Sequence, residues 1–296
     1  MEIPRGLDWW RDVPGGAAWL ARLPRLAAEC AEQWQLWIGP AFEGSHVSLV
    51  LAAERAGRPA VLKFSFPGGE SEREADALSH WAGVGAARLL EHDAARSALL
   101  IERCLPGTTL WQVTDEEEAN RIAATLLHRL WRPPPPSHSF RPLACEASRW
   151  AEELPVEWES MGRPFERALI QRAVEAVGEL VATQAELVVV HQDFHGGNVL
   201  RAEREPWLAI DPKPLVGERA FDAASLLRDR RQELARDPAP ERRIRRRLDQ
   251  LTAELDLDRE RLRGWGIVHA LAWGFSGQTL KVEQDMVACA RWLAAA

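Results

Sequence analysis

The spacing of apolar residues predicts a first part of the chain rich in strands and a second part rich in helices. Apolar and polar residues alternate over 46–53, and a second apolar segment, "AVLKFSF" (60–66), follows the turn-forming residues "ERAGRP", so these segments predict a β-hairpin. Helical spacing of apolar residues predicts helices in the same part. The elements predicted here are helices at 17–33 and 70–82 and strands at 34–39, 46–53, 60–66, 86–91 and 98–102.

Helical spacing dominates after the segment "LPGTTL". Thr114 and Glu117 have the spacing of a capping box before a helix that ends at the prolines of 132–136. Further helices are predicted at 142–153, 164–186, 222–235, 240–255, 258–275 and 283–295, interrupted by a short β stretch at 188–211. The simplest organisation is a β-rich domain over 1–104 and a helical domain over 105–296.

Composition and charge exclude several classes of protein. The 296 residues contain no apolar run of about 18 residues, as a membrane span needs, and no signal-peptide pattern begins the sequence, so we expect a cytoplasmic protein without a membrane partner. The four cysteines are scattered and predict neither a disulfide nor a metal site. A net charge of -7 disfavours nucleic acid as a partner, and the arginine-rich segment 241–250 is better explained as a solvated helix face.

Lysine is rare in this chain, because 37 basic residues include only Lys63, Lys213 and Lys281. Lys63 interrupts an apolar strand, where burying an ammonium group costs free energy unless an anionic partner lies beside it. The predicted helix at 70–82 supplies three candidate partners, of which we favour the last: Glu70, Glu72 and Glu74. The alternative is a lysine on an edge strand that points to solvent.

The segment "VVVHQDFHGGNVL" (188–200) carries the strongest chemical signal. An apolar strand ends at a run of polar residues in which Asp193 and Asn198 have the D-x-x-x-x-N spacing of a kinase catalytic loop. Antiparallel pairing of 198–202 with 206–211 would bring Asn198 beside Asp211, at about 5 Å. Two oxygen ligands at that separation suit Mg²⁺, and Asp193 could orient and deprotonate an attacking hydroxyl group.

These motifs resemble the aminoglycoside phosphotransferase family, and most closely its streptomycin 6-phosphotransferase and hydroxyurea-kinase branch. The resemblance is carried by "HQDFHGGNVL", "EPWLAIDPKPLVGERAFD", "PAVLKF" and "EREADAL", which are spread over most of residues 17–270. It implies an α+β, protein-kinase-like bilobal fold, with a small β-rich N-terminal lobe that binds the nucleotide and a larger helical C-terminal lobe. It also implies ATP and Mg²⁺ as cofactors.

The resemblance implies a role for each matching residue. Asp193 would be the catalytic base, Asn198 and Asp211 the Mg²⁺ ligands, and Lys63 the contact to the α- and β-phosphates with Glu74 as its ion-pair partner.

Other positions have less specific expected roles. Gly44 and Ser45 occupy the phosphate-covering turn, and the adenine would lie against the hinge that contains Glu102 and Cys104. Lys213 either contacts the γ-phosphate or forms a salt bridge that supports its loop.

The remaining positions implied by the resemblance concern the catalytic loop and the acceptor. Gln192 stands where many relatives have glycine, and Asp222 is expected to cap a helix and brace the catalytic loop. His191 is expected to brace that loop internally and His195 to lie near the substrate side. Two tryptophans are candidates for lining the acceptor site: Trp265 and Trp273.

We predict an ATP-dependent O-phosphotransferase acting on a small hydroxylated acceptor. The 11-residue interval from Asp211 to Asp222 is too short for the activation segment of a protein kinase, so protein substrates are not expected. The favoured acceptor is a streptomycin-like aminoglycoside, with hydroxyurea, a sugar or another hydroxylated metabolite as alternatives. A zinc hydrolase built on His191, Asp193 and His195 and a non-catalytic pseudokinase are competing readings. The sequence does not indicate the oligomeric state.

Overall fold

The computed structural model describes residues 2–68, 70–276 and 281–296. The chain forms two compact units, one of Met1–Gly107 with Ala202–Lys213 and the other of Thr108–Arg201 with Pro214–Ala296. The sequence analysis placed a single boundary after residue 104, whereas in the structure the segment Ala202–Lys213 returns to the first unit. A boundary of that kind depends on contacts between distant residues, which local sequence patterns do not show.

The helices and strands occupy the following residues. Within the described parts of the chain, the strands are β1 (Leu36–Ala41), β2 (Ser48–Arg55), β3 (Arg58–Ser65), β4 (Leu89–Asp93), β5 (Ala98–Glu102), β6 (Arg141–Pro142), β7 (Val188–Val190), β8 (Val199–Arg201), β9 (Trp207–Ala209), β10 (Leu215–Gly217), β11 (Phe275–Ser276) and β12 (Lys281–Val282). The α-helices are α1 (Gly16–Trp34), α2 (Glu74–Trp81), α3 (Glu116–Leu130), α4 (Leu143–Ser160), α5 (Arg167–Ala182), α6 (Arg219–Leu227), α7 (Arg231–Arg236), α8 (Pro240–Leu255), α9 (Arg259–Gly274) and α10 (Gln284–Ala295).

The first unit is built on an antiparallel sheet with strand order β1-β2-β3-β5-β4. The predicted hairpin is β2 and β3, which pair from Ser48 opposite Ser65 to Arg55 opposite Arg58. Ala56 and Gly57 join them with φ values of 49° and 76°, the positive values that a two-residue hairpin turn of type I′ requires. Helix α1 buries its apolar side in the core that also contains alternate residues of β2, β3 and β5. Strand β3 is therefore a central strand, covered by neighbours on both edges.

The second unit is mainly helical, with α9 packed against α5, α6 and α10. Residues Trp265 to Leu271 of α9 are all buried, because a helix surrounded by other helices is apolar on every side. Strand β10 pairs antiparallel with β7 and parallel with β6. All three residues of β7 are buried, and the strand ends immediately before His191. The polar segment after β7 is thereby held by a rigid, buried strand.

Several details of the predicted helices are wrong, and the helix predicted over 142–153, for example, extends to Ser160. The N-cap of α3 is Asp115, whose carboxylate accepts hydrogen bonds from the backbone N–H groups of Glu117 and Glu118, and not Thr114. The single helix predicted over 222–235 is two helices, α6 and α7, which are separated at Arg230 with a φ of 51°. Across residues 2–68, 70–276 and 281–296, no helix combines the length and apolar character needed to span a membrane.

Candidate active site

Lys63 lies on β3 in the first unit and is buried between two carboxylates. Its Nζ atom donates a hydrogen bond to Oε2 of Glu74, at 2.6 Å, and another to Oδ1 of Asp211, at 2.5 Å. Only 5% of Lys63 and 1% of Glu74 are exposed. Glu74 begins α2 and is the acid that the sequence analysis favoured as the partner of Lys63. The structure thus assembles a buried cation with two anions from positions far apart in the chain.

The carboxylates determine the charge of Lys63. Burial alone would lower the pKa of Lys63, but the charges of Asp211 and Glu74 outweigh that effect, so the pKa is raised above its usual value. Burial raises the pKa of Glu74 to about 7, against the opposing effect of the Lys63 ammonium. Lys63 is therefore a cation throughout the physiological pH range.

The segment 202–213 fixes Asp211 beside Lys63 within the first unit. Arg204 binds both carboxylate oxygens of Glu102 at 2.8 Å and also donates to the carbonyl oxygens of Gly83 and Ala86. The backbone of Ala209 exchanges 2.9 Å hydrogen bonds with residues 85 and 87. Asp211 follows with a φ of 58°, a left-handed conformation that aspartate tolerates better than most residues. These contacts hold the end of the segment in a defined position.

The residues predicted to form the adenine hinge lie at the end of β5. The carboxylate of Glu102 is occupied by Arg204 and also accepts a hydrogen bond from the backbone N–H of Arg88. Cys104 is buried. The Glu102 side chain is thus engaged within the first unit.

The predicted phosphate-covering turn joins β1 to β2. Gly44 has a φ of 87° and open space around it, and the Oγ atom of Ser45 donates to the carbonyl oxygen of Ser48 at 2.5 Å. Lys213 is half-buried two residues after Asp211. Burial raises the pKa of Glu74, and the charge of Lys213 opposes that effect. Both features lie in the first unit.

Asp193 lies in the second unit, in the loop after β7, and Asp222 braces that loop. The Asp222 carboxylate accepts hydrogen bonds from the backbone N–H groups of His191 and Gln192 and from the indole N–H of Trp131. Burial raises the pKa of Asp222, and these donors counteract that effect. Asp222 therefore braces the loop, but it does not cap α6, because the N-cap residue of that helix is Glu218.

Asn198 closes the same loop. Its Nδ2 atom donates to the carbonyl oxygen of Asp193 at 3.0 Å, which fixes the amide and leaves Oδ1 as its ligand atom for a cation. Asp211 offers a carboxylate, and amide and carboxylate oxygens are the ligands that Mg²⁺ prefers. Each of these oxygen atoms, taken within its own unit, is thus of a type that suits Mg²⁺. Among the described residues, no group of three or more His, Cys, Asp or Glu side chains has metal-binding geometry, so the zinc-hydrolase reading gains no support.

Arg228, which contacts Asp193, and His269, which contacts Arg228, are two residues that the sequence analysis missed. Arg228 is buried, with a nitrogen 3.5 Å from Oδ1 of Asp193, and its Nε atom donates to Nδ1 of His269 at 2.9 Å. Burial lowers the pKa of Arg228, and the charge of Asp193 opposes that effect. The guanidinium group of Arg228 thus faces the carboxylate of Asp193. In a chain with so many arginines, no local pattern distinguishes this one.

The tryptophans proposed for the acceptor site have other contacts in the second unit. Trp265 has no exposed surface, and its indole N–H donates to Glu218 at 2.5 Å, so the prediction that it lines the acceptor site is wrong. Trp273 stacks on His269 and lies 5.0 Å from the guanidinium of Arg228. Trp273 therefore packs against Arg228, which contacts Asp193, and against His269, which contacts Arg228.

The chain matches the family model described as aminoglycoside/hydroxyurea antibiotic resistance kinase over residues 33–277. It is 38% identical to streptomycin 6-kinase of Streptomyces griseus over 301 residues, which cover 99% of this chain and 97% of the relative. It is 35% identical to hydroxyurea phosphotransferase of Kitasatospora aureofaciens over 305 residues, covering 99% and 86% of the two chains.

Solved structures confirm the predicted fold class. A thermostable mutant of aminoglycoside phosphotransferase APH(4)-Ia in complex with ADP and hygromycin B superposes with a TM-score of 0.61 at 15% identity, covering 90% of this chain and 96% of that one. Choline kinase LicA from Streptococcus pneumoniae has a TM-score of 0.62 at 11% identity, covering 93% and 100%. The chain has a protein-kinase-like fold, with an N-terminal five-stranded antiparallel sheet followed by a mostly helical region.

Proposed function

Because the chain belongs to the aminoglycoside/hydroxyurea antibiotic resistance kinase family, we propose that it transfers the γ-phosphate of ATP to a hydroxyl group of a streptomycin-like aminoglycoside. It is a phosphotransferase of this family, and the proposal concerns its acceptor and the roles of its residues. The observation that carries the proposal is the Lys63 ammonium buried between Glu74 and Asp211. A buried cation with two carboxylates is costly to assemble for stability alone, and it suits a site that binds phosphate and metal.

Each residue of the site has a defined part in this reaction. Asp193 accepts the proton of the acceptor hydroxyl as the new O–P bond forms and the bond from phosphorus to ADP breaks. Lys63 binds the α- and β-phosphates, and Glu74 holds it in place. Asn198 and Asp211 would hold Mg²⁺, which supplies neutralisation of phosphate charge when bound. The fixed amide of Asn198 supports this assignment.

We propose the acceptor from the relatives. The charge of the segment after residue 255 does not itself favour a polycationic substrate, because this segment carries no excess of acidic residues. The acids and bases there are Asp256, Asp258, Glu260, Glu283 and Asp285 against Arg259, Arg261, Arg263, Lys281 and Arg291. This balance of charge favours a second candidate, a neutral hydroxylated acceptor such as hydroxyurea. Measuring ATP consumption with streptomycin, hygromycin B, hydroxyurea and simple sugars separates the two candidates.

The variant Asp193→Asn tests the proposed base. We expect its kcat to fall by about 100-fold or more, because a positioned general base contributes about 10²- to 10⁴-fold, while the affinity for ATP measured by calorimetry stays nearly unchanged. Asp249→Asn is the matched control, because Asp249 pairs with Arg259 on the surface of the same unit. A kcat of Asp193→Asn equal to that of the wild type would refute the base assignment. A wild type that binds ATP but phosphorylates none of the panel would favour the pseudokinase reading.

A further inference from the structure

The ring of His195 lies beside Asp193 in a fixed orientation. The backbone N–H of Gly197 donates to Nδ1 of His195 at 3.1 Å, so this nitrogen is the acceptor and the ring proton is on Nε2. Nε2 in turn lies 3.7 Å from Oδ1 of Asp193. The loop therefore presents an N–H donor next to the carboxylate of the proposed base.

Trp111 holds this ring from one side. The indole of Trp111 stacks on His195 with 5.2 Å between ring centroids and 8° between planes. Its Nε1 atom donates to Oδ1 of Asp229 at 2.6 Å, and Oδ2 of Asp229 accepts the backbone N–H of Gly196 at 2.8 Å. The Trp111 side chain is nevertheless 47% exposed. A large, half-exposed aromatic ring is thus tied by hydrogen bonds to the loop that carries the predicted base.

The double glycine of the loop makes this arrangement possible. A Cβ atom on Gly196 would lie 2.6 Å from the Trp111 ring, and one on Gly197 would lie 2.6 Å from the same ring and 2.9 Å from His195. Such distances are well inside van der Waals contact, so any side chain at either position would displace the indole. The glycines, Trp111 and His195 therefore form one packed unit.

We propose that His195 is a second catalytic residue, whose Nε2–H donates a hydrogen bond to a non-bridging oxygen of the phosphoryl group during transfer. Trp111 and Asp229 are positioning residues that hold the ring for this contact. The proposal rests on the proposed function, because a hydroxyl held by Asp193 attacks a phosphorus atom that lies within reach of a donor 3.7 Å from that carboxylate. Negative charge on the equatorial oxygens during transfer is stabilised by such fixed donors.

Two amide substitutions test which nitrogen matters. The amide nitrogen of glutamine reaches the place of Nε2, whereas that of asparagine reaches only the place of Nδ1, so both variants remain polar and only His195→Gln keeps the donor. We expect the kcat of His195→Asn to fall by about 100-fold, which is the effect of removing one such donor. The kcat of His195→Gln should be at least about tenfold higher than the kcat of His195→Asn. The KM values for ATP and for the acceptor should change by less than about threefold.

A transition-state mimic and a matched control complete the experiment. ADP with aluminium fluoride should bind more weakly to His195→Asn than to the wild type, while ADP alone binds both equally. His138→Gln alters an exposed histidine that also stacks on an aromatic ring, Phe140, and should leave all these values unchanged. Trp111→Phe keeps the ring but removes its bond to Asp229, and we expect a smaller loss in kcat than for His195→Asn.

The possible failures are distinguishable. If the wild type phosphorylates an acceptor and His195→Asn matches its kcat, or if the loss appears in the KM for the acceptor alone, the inference about His195 is wrong and the proposed function stands. If His195→Gln is as slow as His195→Asn, the inference is also wrong. If the wild type phosphorylates no acceptor, the proposed function fails and this inference fails with it.

Discussion

Gln192 adopts a backbone conformation that suits glycine, one residue before Asp193. Its φ is 68°, its side chain is 1% exposed, and within the described parts of the chain neither amide atom has a hydrogen-bond partner. A left-handed conformation costs a non-glycine residue about 1 kcal/mol or more, and a buried amide without partners adds a comparable cost. A glycine at this position would avoid both costs.

Gln192→Gly should therefore stabilise the protein. We expect the free energy of unfolding in urea to rise by about 1 kcal/mol, because both the backbone strain and the unsatisfied amide are removed. Ala56→Gly is the control, since Ala56 has a φ of 49° but lies exposed in a turn, so only the backbone term is relieved and the gain should be smaller. A loss of stability in Gln192→Gly would show that the buried amide is used within the fold.

We expect the loss of stability caused by substituting Lys63 to depend on pH. In Lys63→Met the buried Glu74 loses its cation, and breaking a buried pair costs about 3 to 5 kcal/mol. The pKa of Glu74 is already about 7 in the fold, above its ordinary value, so its favourable contribution is complete at low pH and is lost as pH rises through that value. The destabilisation measured by urea unfolding should be larger at pH 8 than at pH 5.5.

The double variant Lys63→Met with Glu74→Gln is the control for this pH effect. Removing the titrating carboxyl group should reduce the difference in stability between pH 5.5 and pH 8. If the single variant were equally destabilised at both pH values, the ionisation of Glu74 would not be the cause.

At the scale of elements, the 3₁₀ helix Arg5–Asp12 is bonded to the predicted phosphate-covering turn. The indole N–H of Trp9 donates to the carbonyl oxygen of His46 at 2.6 Å, and that of Trp10 donates to Val47 at 3.2 Å. Gly6 lies directly below, since a Cβ atom there would meet the carbonyl oxygen of Ser45 at 3.0 Å. An N-terminal helix thus restricts the motion of the turn between β1 and β2.

Substituting Trp9 should loosen that turn. We expect Trp9→Phe to raise the KM for ATP by about three- to tenfold with little change in kcat, because a freer turn must be ordered when phosphate binds. Trp37→Phe, at a tryptophan that is 65% exposed on β1, should leave the KM for ATP unchanged. Equal KM values for wild type and Trp9→Phe would show that the helix does not influence nucleotide binding.

Elements with a strong local signal were predicted well from the sequence. The hairpin of β2 and β3 was predicted from alternation and its turn residues, and α8 was predicted to the residue by its apolar spacing. The break between α6 and α7 was missed because neither glycine nor proline marks it. The cap of α3 is Asp115 and not the predicted Thr114, because two adjacent residues can each cap a helix and only the backbone conformation decides between them.

The residues of the candidate site also fall into those that the sequence identifies and those that it does not. Lys63 was identifiable because a charge inside an apolar strand is unusual, and Asp193 and Asn198 because of their spacing in one loop. Trp111 and Asp229 are 118 residues apart in the chain, and Arg228 and Asp193 are 35 apart. Their pairing arises from tertiary packing, for which the sequence of either segment alone contains no signal.

At the scale of the whole molecule, the cysteines differ in their exposure to solvent. Cys30, Cys104 and Cys289 are buried, and Cys145 is exposed. Burial raises the pKa of Cys104 to about 12 and those of Cys30 and Cys289 to about 11. Since the thiolate is the reactive form, these three thiols should be protected in the folded protein.

Reaction with a thiol reagent tests whether the buried cysteines are protected. With the native protein at pH 8, we expect one rapid reaction equivalent, which Cys145→Ser removes, and four equivalents after unfolding in guanidinium chloride. Any rapid equivalent in the native Cys145→Ser protein would show that a buried cysteine is exposed by frequent local unfolding.

The return of Ala202–Lys213 to the first unit also limits how this protein can be recombined with its relatives. A hybrid joined once after Gly107 would take Lys63 and Glu102 from one parent and Asp211 and Arg204 from the other, so two ion pairs would depend on mismatched scaffolds. Exchanging Met1–Gly107 together with Ala202–Lys213 takes both residues of each ion pair from the same parent protein. Hybrids that exchange these two segments together are the ones that should be active kinases.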